Sequence, residues 1–121
     1  MKALIPTLVL LIAAGTLQAD ERVDHFEGLP AETLTEAVAN FSEYNDRLEA
    51  VLNRGDLSPA DLAEVHELTY TLENALQKIN AEFTALADTL EKVHLASESS
   101  EPDTVAARGR AYLETARTVV E

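Results

Sequence analysis

Residues 58–97 read SPADLAEVHELTYTLENALQKINAEFTALADTLEKVHLAS, and this stretch decides the fold. Ser58 is suited to cap a helix, Pro59 to its first position and Asp61 to its third. Apolar residues, with one Thr among them, then recur at steps of three and four without a Gly or Pro. The pattern predicts one continuous helix of about 39 residues and about 58 Å, with core positions at Leu62, Val65, Thr69, Leu72, Leu76, Ile79, Phe83, Leu86, Leu90 and Val93.

The long central helix is predicted at about 59–97. A shorter helix is predicted before it and another after it. Residues 33–36, TLTE, fit a capping box, so helix 1 is expected over about 33–54, ended by Arg54 and Gly55. After the polar break SESSEP, helix 3 is expected over about 102–120. The fold class is all-α, an antiparallel helical hairpin or bundle. The apolar stripes of the short helices are Leu34, Val38, Phe41, Leu48 and Leu52, with Asn45 in the gap, and Val105, Gly109, Tyr112, Ala116 and Val119.

Two layouts remain open, because the short helices together match the long one in length. Helix 2 is either an unbroken spine with helices 1 and 3 folded back along its two halves, or it bends near Asn80 into a compact four-helix bundle. The unslipped heptad favours the spine. A spine two helices thick leaves apolar edges such as Leu68 and Ala75 uncovered, which predicts a homodimer.

Antiparallel folding about each loop also predicts which residues face each other. Asn45 falls opposite Thr69, a polar pair in an apolar seam that we expect to specify the register of the helices. Gly109 falls opposite Leu90, where we expect a close approach of helix 3 to helix 2.

The N-terminal residues have the pattern of a targeting segment. Residues 1–19 have a Lys, an uncharged run and a small residue before the acidic residues that begin at Asp20, which is the pattern of a secretory signal peptide. A retained membrane helix is the alternative. Cleavage would leave residues 20–32 as an extended acidic arm before the helical domain at 33–121, with no membrane span, in a periplasmic or secreted protein.

Composition excludes several classes of function. The 121 residues carry a formal charge of −13 and no cysteine. The acidic excess repels phosphate backbones, so DNA and RNA are not expected partners. Without cysteine there is no disulfide, thiolate metal site, Cys nucleophile or covalent c-type haem attachment.

Histidines are the residues most able to carry chemistry. His66 and His94 lie four heptads apart on one edge of helix 2, and bending or pairing that helix about Asn80 would bring them together. Glu91 precedes His94 in a Glu-x-x-His arrangement, so haem or a divalent metal bound by His66, Glu91 and His94 is one hypothesis. The other interpretation is that both are boundary residues half covered by a neighbouring helix. No nucleophile, base and acid can be grouped, so we expect no enzyme.

Three stretches carry a resemblance to a known family: HFEGLPAETLTEAVANFSEYNDRL at 25–48, DLSPADLAEVHELTYTLENALQKI at 56–79 and LEKVHLASE at 90–98. They resemble a family of short exported bacterial proteins known only as a domain of unknown function. The resemblance implies export and a helical fold, and no site residues. A fainter likeness, through size, compartment and the spacing from Ser58 to His66, is to periplasmic four-helix b-type cytochromes and implies haem.

The functional expectation is therefore a small, acidic, exported helical protein without catalytic activity. We expect it to act as a protein-interaction module through a protein partner or a second copy of itself, and to need no cofactor. The alternative is a helical bundle that binds haem or a divalent metal through His66 and His94.

Overall fold

The computed structural model describes residues 27–121, which form three helices. α1 spans Leu34–Leu52, α2 spans Pro59–Glu98 and α3 spans Pro102–Val119. The described residues contain no strand, so the predicted all-α class is confirmed. The predicted signal peptide at 1–19, the first residues of the arm at 20–26 and His25 lie outside the described residues.

Both helix starts that the sequence indicates are present. The Thr33 hydroxyl accepts from the Glu36 amide at 3.1 Å, and the Glu36 carboxylate accepts from the Thr33 amide at 3.2 Å. At α2 the Ser58 hydroxyl accepts from the Asp61 amide at 3.2 Å and the Asp61 carboxylate accepts from the Ser58 amide at 2.8 Å. Two capping boxes thus satisfy backbone donors that a helix N-terminus leaves unpaired.

The three helices form a two-layer rod. α2 is a single helix of 40 residues, with Asn80 in its interior, so the layout with an unbroken spine is the one observed. α1 and α3 both pack on α2 and contact each other little. Ala37 of α1 packs with Ala75 and Ile79, whereas Arg108 of α3 lines a groove with Lys92, so each short helix runs antiparallel to its half of α2.

The seam between the layers differs in phase from the predicted one. Leu68 and Ala75, expected to be uncovered, are 3% and 0% exposed, whereas Leu62 and Leu76, expected in the core, are 56% and 41% exposed. The seam is rotated by about 50° around α2 relative to the prediction. Its buried positions follow a regular heptad pattern at Leu68, Leu72, Ala75, Ile79, Leu86 and Ala96.

Small side chains account for this phase. Ala37 and Ala75 are both fully buried in one cluster, and helices can approach more closely where alanines meet. The larger residues of the predicted stripe, such as Leu76, then project beside the seam instead of into it. The core seam is therefore set by alanines that a search for large apolar residues passes over.

A short arm before α1 docks on the side of α2 away from Leu62 and Leu76. The Leu29 amide donates to the Thr71 hydroxyl at 2.9 Å, and the Asn74 side-chain amide donates to the Leu29 carbonyl at 3.0 Å. A Cβ on Gly28 would lie 2.6 Å from the Tyr70 carbonyl carbon and closer still to the Thr71 nitrogen. Only glycine allows the arm to lie this close to the helix backbone.

We expect Gly28→Ala to detach the arm from α2. The added methyl would meet backbone that cannot move aside, so both hydrogen bonds of Leu29 would be lost, at a cost of about 2 kcal/mol in unfolding free energy. Hydrogen exchange at the Leu29 amide and the thermal midpoint measure this.

Gly109→Ala is the matched control, because a Cβ there would meet nothing within 4 Å. It should be neutral or slightly stabilising, as Gly→Ala is in a helix interior. The same open space shows that the predicted close approach of Gly109 to Leu90 is wrong. Equal destabilisation of both variants would contradict a tightly docked arm.

Candidate functional site

The candidate histidines lie apart on α2 and are exposed. On one continuous helix their separation of 28 residues corresponds to about 42 Å, so His66 and His94 cannot share a ligand within one chain. His66 Nε2 lies 3.1 Å from the Tyr70 hydroxyl, and His94 Nε2 lies 3.4 Å from a Glu98 carboxylate oxygen. Glu91 is exposed. Residues 27–121 contain no cluster of three or more side chains able to hold a metal ion.

The predicted pairing of Asn45 with Thr69 is wrong. Asn45 is exposed, and the Thr69 hydroxyl donates to the His66 carbonyl of its own helix at 2.7 Å. The buried polar residue is instead Thr71, 1% exposed, whose hydroxyl accepts from the arm. The pair was misplaced because it belonged to the same shifted phase as Leu62 and Leu76.

The α1 and α2 residues that lie beside the seam instead of in it share one side of the rod with residues of α3. Each directly follows a seam residue in its helix: Leu76 follows Ala75, and Leu52 follows Val51. Because α1 and α3 run antiparallel to α2, the same offset in each helix turns these residues to the same side. We call this side the open face, formed by Leu62, Thr69, Leu76, Phe83, Leu90 and Ser97 of α2, Val38, Asn45 and Leu52 of α1, and Ala106, Leu113 and Val120 of α3.

The open face is mostly apolar and exposed. Its large exposed members extend over both layers of the rod: Leu52, Leu62, Leu76, Phe83, Leu90, Leu113 and Val120. Together with the seam they widen the apolar face of α2 to three heptad positions at 62–68 and again at 90–96, which is the pattern of a helix in a bundle with neighbours on two sides. Within residues 27–121, α2 has a helix on only one of those sides.

The two ends of the open face differ in shape. At the end near the Gly55 loop, Leu52 and Leu62 protrude, each more than half exposed. At the other end lies a surface pocket of about 490 Å³, and two of its lining residues, Ser97 and Ala106, belong to the open face. One end therefore presents two apolar side chains and the other a concavity.

Charge is also distributed unevenly along the rod. α1 carries one Arg against four acidic residues, a net charge of −3, whereas α3 carries three Arg against two acidic residues, a net charge of +1. Within residues 27–121, Arg108, Arg110 and Arg117 make no ion pair. By heptad position, Arg110 and Arg117 border the open face on α3, and Glu49 borders it on α1.

The loop between α1 and α2 is held by a charged cluster. The Arg54 guanidinium donates to Asp61 at 2.8 Å and to Glu64 at 2.7 Å. Hydrogen bonds from the Ser58 hydroxyl and from Arg54 lower the pKa of Asp61 from 3.8 to about 2, and Glu64 and Asp61 raise the pKa of Arg54. The cluster fixes the turn around Gly55, whose φ of +95° suits glycine.

We expect Asp61→Asn to reduce the loss of stability in acid. Because the folded pKa of Asp61 is below its unfolded value, its contribution is complete above about pH 4 and disappears as the pH falls toward about 2. Urea unfolding across this range should show a shallower decline for Asp61→Asn than for the natural chain. Asp88→Asn, which removes an exposed carboxylate that makes no ion pair within residues 27–121, should follow the natural chain. Parallel curves for all three would contradict the assignment.

Fold and surface together define an all-α protein built as two layers of antiparallel helices with one open face. The chain belongs to the family of unknown function DUF6746, whose family model matches residues 1–121. This confirms the predicted membership of an uncharacterised family. No curated protein and no solved structure matches the chain. Among the helices described, none is both long and apolar enough to cross a membrane.

Proposed function

We propose that this protein is exported and acts as a non-enzymatic protein-interaction module, with the open face as its contact surface and a second copy as its first partner. One observation carries the proposal: an apolar stripe runs along the whole of α2 beside the seam, with Leu62, Leu76, Phe83 and Leu90 exposed. Large apolar patches on a folded chain mark interaction surfaces.

The size of the open face supports the proposal. From Leu62 to Ser97 the face is about 50 Å long, and two helices side by side are about 20 Å wide, so it offers about 1,000 Å² per copy. A stable protein interface buries about 800 Å² per partner. Covering this face would bury the exposed half of four large side chains of α2, each contributing about 1 kcal/mol.

Oligomeric state and export are tested together. We expect native mass spectrometry of a periplasmic extract to detect a chain that begins at Asp20, as a dimer, and light scattering of the purified chain to show the dimer from low to high micromolar concentration. A strict monomer at high micromolar concentration would contradict self-association. A chain that keeps residues 1–19 would contradict export by signal cleavage.

A second candidate function is haem or divalent-metal binding between two copies. The observation that favours it is that His66 and His94 are both exposed on the same edge of α2, next to the open face. Zinc, copper or haemin should then raise the thermal midpoint by binding the native dimer. The double variant His66→Ala, His94→Ala should lose that increase; an unchanged increase would show that other residues bind the ligand.

A further inference from the structure

We infer that the second copy docks on the open face in antiparallel orientation, with α2 on α2 and α1 of each copy on α3 of the other. This inference rests on the proposed function and specifies its partner and geometry. Each chain is two helices thick along its length, so the dimer has four helices at every level. It is then a two-chain four-helix bundle about 60 Å long.

The open face is self-complementary about its middle. A twofold axis perpendicular to the rod, passing between Leu76 and Phe83, reverses α2 onto its copy and sets every open-face position of α2 opposite another. Leu76 then contacts Phe83 of the second copy, and Thr69 contacts its Leu90. A shift of one heptad in either direction would leave one row of the face uncovered, so this register buries the most apolar area.

The two ends fit each other only in this orientation. Reversal carries the protruding Leu52 and Leu62 of one copy to the pocket lined by Ser97 and Ala106 of the other. In a parallel dimer the pocket would face a second pocket, and the protruding leucines would face each other. Concave surface against apolar side chains is what a packed interface requires.

Charge favours the same arrangement. In the antiparallel dimer α1, with a net charge of −3, lies on the cationic α3 of the second copy. Glu49 then lies about one helical turn along the rod from Arg110 of the second copy, and Arg110 makes no ion pair in the part of the chain described. A parallel dimer would instead place Arg110 about one turn from His94. Pairing of this kind at an interface rim selects orientation and speeds association.

The arrangement also predicts that histidines far apart in one chain become neighbours between chains. The twofold axis that aligns the open faces brings Asn80 beside Asn80 of the second copy, and His66 beside His94 of the second copy, at two equivalent places. Residues 42 Å apart within one chain thus become neighbours between chains. Same-residue pairs toward the ends of α2, such as His66 with its own copy, remain about 42 Å apart, which gives the arrangement a distinctive cross-linking pattern.

Cysteine cross-linking of the full chain tests the orientation, because the natural sequence contains no cysteine. We expect Asn80→Cys to form covalent dimers in high yield with a bis-maleimide of about 10 Å reach, comparable to the spacing of packed helices. Ala81→Cys is the matched control. It is one residue away, on the side of α2 where the arm residues Pro30 and Ala31 line a groove, and should not cross-link.

A mixing experiment separates this inference from the proposed function. His66→Cys and His94→Cys chains should cross-link when mixed and not when each is alone. A dimer by light scattering in which His66→Cys alone cross-links would overturn the antiparallel arrangement and leave the interaction function standing. Equal cross-linking of Asn80→Cys and Ala81→Cys would overturn the arrangement as well, and a monomer in light scattering would overturn both proposals.

Discussion

Ala75→Leu should lower the free energy of unfolding by about 2 kcal/mol or more. Ala75 is fully buried in one cluster with the equally buried Ala37, between α1 and α2. Three added carbon atoms at this point would push the two helices apart or force side chains out of their rotamers. Urea unfolding followed by circular dichroism measures the loss.

Two further variants make this prediction specific to the observed seam. Ala85→Leu adds the same atoms at an exposed position of α2 and should change stability by about 0.5 kcal/mol or less. Leu76→Ala, measured in dilute protein, should cost much less than truncation of a core leucine, which costs about 2–5 kcal/mol. If Leu76→Ala were the damaging change and Ala75→Leu harmless, the seam would have the phase that large residues alone suggest.

Local features of the fold were predictable because they depend on neighbours in the chain. The capping boxes at Thr33 and Ser58 are complete within four residues each, and the continuity of α2 follows from an uninterrupted heptad pattern without Gly or Pro. The same unslipped heptad pattern favoured the spine over a bend near Asn80. None of these inferences requires knowing which side of a helix meets another.

The phase of the seam was not predictable in the same way. At 62–68 and 90–96 the apolar face of α2 covers three positions of the heptad, and a heptad pattern does not say which adjacent two positions meet the partner helix. Tertiary packing chose the pair containing Ala75, because alanine against Ala37 allows close approach. Every error in the predicted pairs, Asn45 with Thr69 among them, follows from that single rotation.

The candidate site, too, was predictable only in part. The edge of α2 that carries His66 and His94 was predicted, and both lie on it, exposed. The open face was not identified, because most of its α1 and α2 residues had been assigned to the core. A signal did exist: at 62–68 and 90–96 the apolar face is three heptad positions wide, which is more than one neighbouring helix can cover. Docking of the arm through Gly28 had no comparable signal, since a close approach leaves no periodic pattern.

The double variant Leu76→Asp, Phe83→Asp should weaken self-association at least about 100-fold, which corresponds to about 2.7 kcal/mol. These residues lie at the middle of the open face, where apolar anchors contribute most to binding. Each substitution removes an apolar contact and places a carboxylate where it would be desolvated, next to the same change in the second copy. Analytical ultracentrifugation measures the dissociation constant directly.

The fold should survive this change, because Leu76 and Phe83 are each about 40% exposed in the single chain and lie outside the seam. Far-ultraviolet circular dichroism of the variant should therefore match that of the natural protein. Leu57→Asp with Leu95→Asp is the matched control: it adds the same two charges at exposed leucines that are not part of the open face. The control should remain dimeric, since its carboxylates stay in water on association.

Equal weakening in both variants would mean that added negative charge on an already acidic chain opposes association, whichever face carries it. A dimer that withstands Leu76→Asp, Phe83→Asp would place the interface elsewhere on the rod.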